Sequence, residues 1–295
     1  MKKSHRFILV ICILLVVFSG CSKPSTNAAS ETSKTIVEKK SSFSVCFIDV
    51  GQGDSALIEC DGKYMLIDGG DKAAGDKVHD VLSNKGVNQL EILAISHYHQ
   101  DHIGGLQKAL IGISKIQKTI SNRPYWDKNN DYLYLDDYLT QFGSKIDIPS
   151  IGDIFNLGSA TIEVLDVSDA EPNDSLVLMI TYGDTKFLFT GDIEEKAEKR
   201  IIDLYANEDD EPYAIDVIKM PHHGSWQNQN LVRLFWVFDP EYAVISVGDY
   251  NTYGHPHQET MVLLAQAGTK VYQTNTDGDI TFTSDGKSIT VETSK

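Results

Sequence analysis

From Phe43 onward the chain alternates between short apolar runs bounded by turn residues and longer stretches with helical spacing. Strand-length runs rich in β-branched and aromatic residues fall at Ser44–Val50, Ser55–Cys60, Tyr64–Ile67, Ile92–Ser96, Thr161–Asp166, Leu176–Tyr182, Lys186–Thr190, Ala214–Met220, Ala243–Val247 and Lys270–Gln273. Near the C-terminus, Asp279–Thr283 and Ser288–Glu292 flank Asp285-Gly286, a dipeptide that suits a tight hairpin. Apolar positions with helical spacing mark Lys72–Lys85, Gly105–Leu110, Asp136–Phe142, Glu194–Asn207, Asn228–Phe235 and Gln258–Ala267. Strands come first and then alternate with helices, in two rounds, which predicts an α/β protein with sheets packed between helices. Residues Arg123–Asp137 are polar and aromatic without a clean period and read as an inserted loop or lid, or as a surface excursion.

The N-terminal pattern is different. Lys2, Lys3 and Arg6 precede an apolar run from Phe7 to Phe18, which is followed by Ser19-Gly20-Cys21. A basic start, a short apolar run and small residues are the order of a secretory signal, and the run is too short for the roughly 20 residues that span a bilayer. The stretch Val17-Phe18-Ser19-Gly20-Cys21 resembles a bacterial lipobox, which implies lipidation at Cys21. Residues 21–42 are rich in Ser, Thr, Lys and Glu and read as a solvated tether. The expected organisation is therefore a signal at 1–20, a tether at 21–42, and one folded domain at 43–295, lipid-anchored outside the cytoplasm.

Composition narrows the function classes. The 295 residues are 41% hydrophobic and 23% charged, with acids outnumbering bases 42 to 26. A net charge of −16 excludes non-specific binding to nucleic acid or anionic lipid through a broad basic surface. Of the four cysteines, Cys46 and Cys60 sit inside strand-like runs, where they either pair or are buried singly as small apolar groups.

Candidate chemistry concentrates in histidines. His97-Tyr98-His99-Gln100-Asp101-His102 follows the apolar run Ile92–Ile95 and puts three imidazoles and a carboxylate, all ligands for zinc or manganese, into six residues. His222 and His223 follow the strand-like Ala214–Met220, and His255 and His257 follow Ala243–Val247. Seven of the nine histidines thus lie just beyond predicted strands, where packing alone gives them no reason to gather. Asp192 ends the run Phe187–Thr190 in the same way, either as part of this cluster or as the N-cap of the next helix.

His97-x-His99-x-Asp101-His102, with Thr190-Gly191-Asp192 downstream, resembles the metallo-β-lactamase fold. Asp49-Val50-Gly51-Gln52-Gly53-Asp54-Ser55, Leu66-Ile67-Asp68-Gly69-Gly70, Asn173–Leu178, Pro221-His222-His223-Gly224-Ser225 and Tyr253-Gly254-His255-Pro256-His257 resemble, more narrowly, the extracellular domain of the ComEC competence proteins. The resemblance spans about residues 43–291 and implies a four-layer αββα sandwich with two divalent ions, zinc or manganese, at the edge between the sheets. Carried over by position, it implies that His97 and His99 hold one metal and Asp101, His102 and His223 the other. Asp192 bridges both, and His222 and Asp101 take catalytic parts. Asp68 orients a ligand histidine, and Asn173, Ser175 and His255 lie around the substrate. Asp54 is either a turn residue or another orienting group.

One departure matters: no histidine occurs from 103 to 221, where two-metal members place a further ligand, and Asn173 and Ser175 stand in that region. That tells against a β-lactamase. The implied activity is phosphodiester hydrolysis, with DNA as leading substrate and a metal-activated hydroxide as nucleophile. A phosphorylcholine-esterase-like hydrolase and a non-catalytic binding lipoprotein are the alternatives, and no protein partner is expected. The acidic charge opposes DNA at long range.

Overall fold

The computed structural model describes residues 42–122, 130–168, 172–206, 212–227 and 229–295. The chain divides into two units, Met1–Lys39 and Lys40–Lys295, and the described residues all belong to the second. The signal at 1–20, Cys21 and the tether up to residue 41 lie outside the described residues.

One eight-stranded sheet contains β1 (Phe43–Phe47), β2 (Ala56–Cys60), β3 (Lys63–Ile67), β4 (Gln89–Ile95), β5 (Lys115–Ser121), β6 (Ile146–Asp147), β14 (Ile280–Ser284) and β15 (Ile289–Thr293), in the order β15-β14-β1-β2-β3-β4-β5-β6. The second sheet contains β7 (Ile154–Leu157), β8 (Ala160–Asp166), β9 (Val177–Tyr182), β10 (Thr185–Phe189), β11 (Val217–Lys219), β12 (Tyr242–Ile245) and β13 (Lys270–Gln273), in the order β13-β12-β11-β10-β9-β8-β7. Helices α1 (Gly75–Asn84), α2 (Gln100–Ile103), α3 (Leu106–Ala109) and α4 (Asn130–Leu139) belong to the first half. Helices α5 (Glu195–Tyr205), α6 (Leu231–Phe238), α7 (Gln258–Ala267) and α8 (Thr274–Asp277) belong to the second.

Period-two alternation explains the layering. On β1, Phe43, Val45 and Phe47 face the gap between the sheets, while Cys46 faces the outer layer formed with α1, α3 and α4. On β10, Phe187 and Phe189 face the same gap, while Leu188 packs outward with α5 and α6. Both faces of each sheet are therefore covered, giving an αββα sandwich. Phe47 lies between Phe189, with ring centroids 5.5 Å apart, and Phe282 at 5.9 Å, locking the sheets together. Cys46 and Cys60 are both buried and free, and they point to opposite faces of the same sheet, which excludes pairing between them.

The expectation of an irregular segment at Arg123–Asp137 is corrected in part. Residues 123–129 lie outside the described residues, but Asn130–Leu139 is helical. Among its described side chains the buried stripe is Leu135 and Leu139, with Tyr138 packed beside them, a run too short to show a clear period in the sequence. Strands β5, β6 and β7 were not predicted either. The sequence of β5, Lys-Ile-Gln-Lys-Thr-Ile-Ser, is too polar to stand out; it is held as a strand by parallel pairing with β4 and β6.

Candidate metal centre

Parallel strands in each sheet deliver the polar residues to one edge. β3 and β4 run parallel in the first sheet, and β10, β11 and β12 run parallel in the second. Asp68 follows β3, Ser96 and His97 follow β4, Asp192 follows β10, His222 and His223 follow β11, and Ser246 follows β12. These are C-terminal strand ends, where loops can carry chemistry without disturbing the core.

The loop after β4 is compact. His97 is buried at the end of the strand. His99 is the N-cap residue of α2, with extended backbone, and Asp101 and His102 lie in the single turn that follows. The His97 Nε2 atom comes within 3.0 Å of His99 Nδ1 and 3.9 Å of Asp192 Oδ2. His102 Nε2 lies 3.3 Å from the same Asp192 oxygen.

The second sheet brings its contribution through strained backbone. Gly191 has φ +55°, and a Cβ there would lie 2.6 Å from the Ser175 side chain, so only glycine lets Asp192 turn into the site. His222 and His223 have φ of 45° and 54°, consecutive left-handed conformations that are costly for residues with a Cβ. The result is that His223 is buried and its Nε2 lies 3.3 Å from Asp101 Oδ2 and 3.4 Å from Asp192 Oδ2. His222 points to the mouth with its side chain 26% exposed.

Behind the ligand atoms lies a buried polar layer. Asp68 accepts hydrogen bonds from Ser96 N at 2.8 Å and Ser96 Oγ at 2.6 Å, and pairs with His102 Nδ1 at 2.9 Å. His223 Nδ1 donates to Ser246 O at 2.9 Å and lies 3.4 Å from Asp54 Oδ1. Lys219, 3% exposed, donates to Met220 O and pairs with Asp54 Oδ2, both at 2.8 Å. Asp54, Asp68 and His102 also bring ligand atoms close together, but Lys219 supplies the positive charge on that side. Ser175 Oγ donates to Asn173 O and accepts from Asp192 N, fixing the backbone of that aspartate. Ser175 Oγ approaches His97 through Nδ1, at 3.4 Å, behind the ring. The Asn173 amide donates to Glu194 Oε1 at 2.8 Å. His255 is half-buried and close to His222, with ring centroids 5.5 Å apart.

Charge follows this geometry. Burial, with the His102 charge beside it, holds His97 well below the usual imidazole range. Burial opposes charge on His102 and His223 as well, yet Asp192 next to each holds both well above that range. The same two imidazoles hold Asp192 well below the usual carboxylate range despite its burial. Burial and the neighbouring His222 and His223 push His255 down to about 4.

The donor set fits divalent cations. His102 Nε2, His223 Nε2 and Asp192 Oδ1 are buried without a hydrogen-bond partner among the described residues, a costly state for three atoms at one point unless something binds them. Ligand atoms of Asp101, His102, Asp192 and His223 lie within 4.8 Å of one another. Imidazole nitrogen and carboxylate oxygen together suit zinc or manganese. His97 and His99 adjoin this group on the side of Asp192 and form the candidate second position.

Comparison with known proteins places this architecture. Residues 48–248 match the model of the metallo-beta-lactamase superfamily. The chain belongs to that superfamily. It is 28% identical to ComE operon protein 3 of Bacillus subtilis (strain 168) over 260 residues, covering 81% of this chain and 32% of the relative. It is also 28% identical to competence protein ComA of Neisseria gonorrhoeae, covering 79% of this chain and 31% of the relative. The chain thus spans about a third of the length of these curated relatives. Among solved structures, Igni18, a metallo hydrolase from Ignicoccus hospitalis, superposes with a TM-score of 0.56 at 20% identity, covering 81% of this chain and 98% of that one. This superfamily member is a metal-dependent hydrolase.

Some groups around the centre escape motif reading. Ser96, Lys219, Glu194 and Ser246 carry no metal-ligand signature. Lys219 alone left a trace, as a charged residue inside the apolar run Val217-Ile218-Lys219-Met220, since a buried lysine in a strand requires an acidic partner.

Proposed function

We propose that the chain is a metal-dependent phosphodiesterase that cleaves DNA outside the cytoplasmic membrane, held there by a lipid on Cys21. The observation that carries the hydrolytic centre is the convergence of Asp101, His102, Asp192 and His223 around orphaned ligand atoms. The similarity to competence protein ComA and ComE operon protein 3 supports a nucleic-acid substrate. The basic, apolar and small-residue order of residues 1–21 supports the location.

Asp101, His102, Asp192 and His223 would hold one cation, and His97, His99 and Asp192 a second, zinc or manganese at each. Such ions lower the pKa of bound water toward ~7 and stabilise charge on phosphoryl oxygens. The remaining work belongs to the chain. Asp68 and Ser96 hold His102 with Nε2 facing inward, and Ser246 does the same for His223. Asp192 offers one oxygen toward the imidazoles and leaves the other free. His222, at the mouth with Nδ1 3.9 Å from Glu194 Oε1, donates a proton to the leaving oxygen. Asp101, the most accessible of the acids at the centre, accepts one as the nucleophile forms.

The test is a substrate panel with added zinc or manganese: single- and double-stranded DNA, RNA, bis-p-nitrophenyl phosphate, a phosphorylcholine ester and a β-lactam. Hydrolysis of DNA and the simple diester supports the reading. Turnover confined to the choline ester or the lactam overturns it. Palmitate labelling lost in Cys21→Ala supports the anchor, and labelling that persists rejects it.

A further inference from the structure

We infer that Tyr253 forms a subsite that stacks a nucleobase of the substrate beside the scissile phosphate, an inference that rests on the phosphodiesterase reading and deepens it by naming how the nucleic acid is held. Three rings lead from the centre to the surface. The His255 ring lies 6.3 Å from that of His223, inclined by 33°, and the Tyr253 ring stacks on His255 at 5.6 Å and 23°. One face of Tyr253 is therefore occupied by His255, while the residue remains 66% exposed.

A single exposed tyrosine is ordinary, but this one is presented on a braced loop. Asn251 Nδ2 donates to Gly248 O at 3.0 Å and to His255 O at 2.7 Å, and Asn251 Oδ1 accepts from His255 N at 2.9 Å. On the far side, His257 Nδ1 accepts from Trp226 N at 2.9 Å. The aromatic face is thus pre-positioned, which spares the entropy of ordering it on binding.

Below the platform, the Nδ1 atoms of His255 and His222 are buried and without hydrogen-bond partners, and the Glu194 carboxylate lies 3.9 Å from that of His222. The two rings are 5.5 Å apart, edge to face, and form a polar floor suited to a phosphate. A flat face one ring away from such a floor matches a base joined through its sugar to a phosphodiester. Charge argues the same way. Lys77, Lys108, Lys118, Lys199, Arg200, Lys219, Lys270 and Lys295 are all taken up by ion pairs with the chain's own acids. Stacking is sequence-tolerant and does not depend on a basic track, so an acidic chain can use it to hold nucleic acid.

The experiment measures binding of the full chain, stripped of metal by chelator, to a fluorescein-labelled oligothymidylate and to an abasic strand of equal length. Wild type, Tyr253→Ala and Tyr253→Phe are compared, with circular dichroism to confirm that each is folded. Wild type is expected to prefer the base-bearing strand by about 5–150-fold, Tyr253→Ala to lose that preference, and Tyr253→Phe to keep it. No preference in wild type, or an undiminished preference in Tyr253→Ala, overturns the inference. Hydrolysis is scored separately with manganese added. Cleavage without base preference rejects the subsite and leaves the phosphodiesterase reading standing. Base preference without cleavage of any phosphodiester rejects that reading and keeps the subsite.

Discussion

The loop after β4 and the loop after β11 both aim imidazoles at Asp192, by different means. In the first, His97, His99, Asp101 and His102 come from six consecutive residues, and α2 starts with the ordinary extended N-cap backbone of His99. In the second, two neighbouring histidines adopt left-handed conformations, and the buried Lys219–Asp54 pair lies behind His223. A contiguous motif can be positioned by local geometry. A ligand arriving from another sheet must be held against strain, and the surrounding fold supplies the energy.

The largest test of this contrast is the group where the two halves meet. Asp192→Ala should lower hydrolysis of bis-p-nitrophenyl phosphate by on the order of 10³-fold or more and reduce bound metal in elemental analysis. Unchanged turnover would show that the halves act independently. Next, Lys219→Met leaves Asp54 buried without its cation and should cost about 3–5 kcal/mol of stability by urea unfolding. A loss below ~1 kcal/mol would mean that the second half does not lean on this pair.

Glu198 reports on the support beneath that half. On α5, it accepts a hydrogen bond from Asn230 N at the start of α6, and burial pushes its carboxyl from the ordinary 4.5 to about 8. The folded chain therefore keeps a proton that the unfolded chain releases. Stability is full below about pH 4.5 and falls as pH rises toward about 8. Wild type should lose roughly 1–4 kcal/mol across that window, and Glu198→Gln should flatten the slope in pH-dependent thermal unfolding. The smallest effect is expected in the local half. Ser96→Ala removes one hydroxyl donor to Asp68, should cost about 1–2 kcal/mol, and should weaken metal affinity by about 10–100-fold in chelator competition. A larger stability loss than in Lys219→Met would reverse the comparison.

Legibility in the sequence followed the same division. The runs Ser55–Cys60 and Lys186–Thr190, observed as strands Ala56–Cys60 and Thr185–Phe189, stood out because their large apolar residues bury both faces of each sheet. β5 did not, because lysines punctuate it and only its neighbours make it a strand. Asn173 and Ser175 stand in the stretch without histidine, from 103 to 221, where a further metal ligand was expected. Ser175 braces the Asp192 backbone from behind His97, and Asn173 is tied to Glu194. Side-chain direction of that kind is set by packing rather than by position in the chain.

Residue chemistry and short-range spacing alone determined the alternating α/β layers, the His97–His102 cluster and the strand-end location of seven of nine histidines. Those features depend on backbone periodicity and on ligand types, which are written locally. Only the tertiary structure decided that Asp54 and Lys219 form an ion pair behind His223, that His222 and His223 split between mouth and interior, and that Tyr253 crowns a stack of rings. The Asp54–Lys219 pair joins segments 165 residues apart, and the packing of one sheet on the other brings them within bonding distance, while the ring stack depends on two loops of the second sheet meeting at its edge.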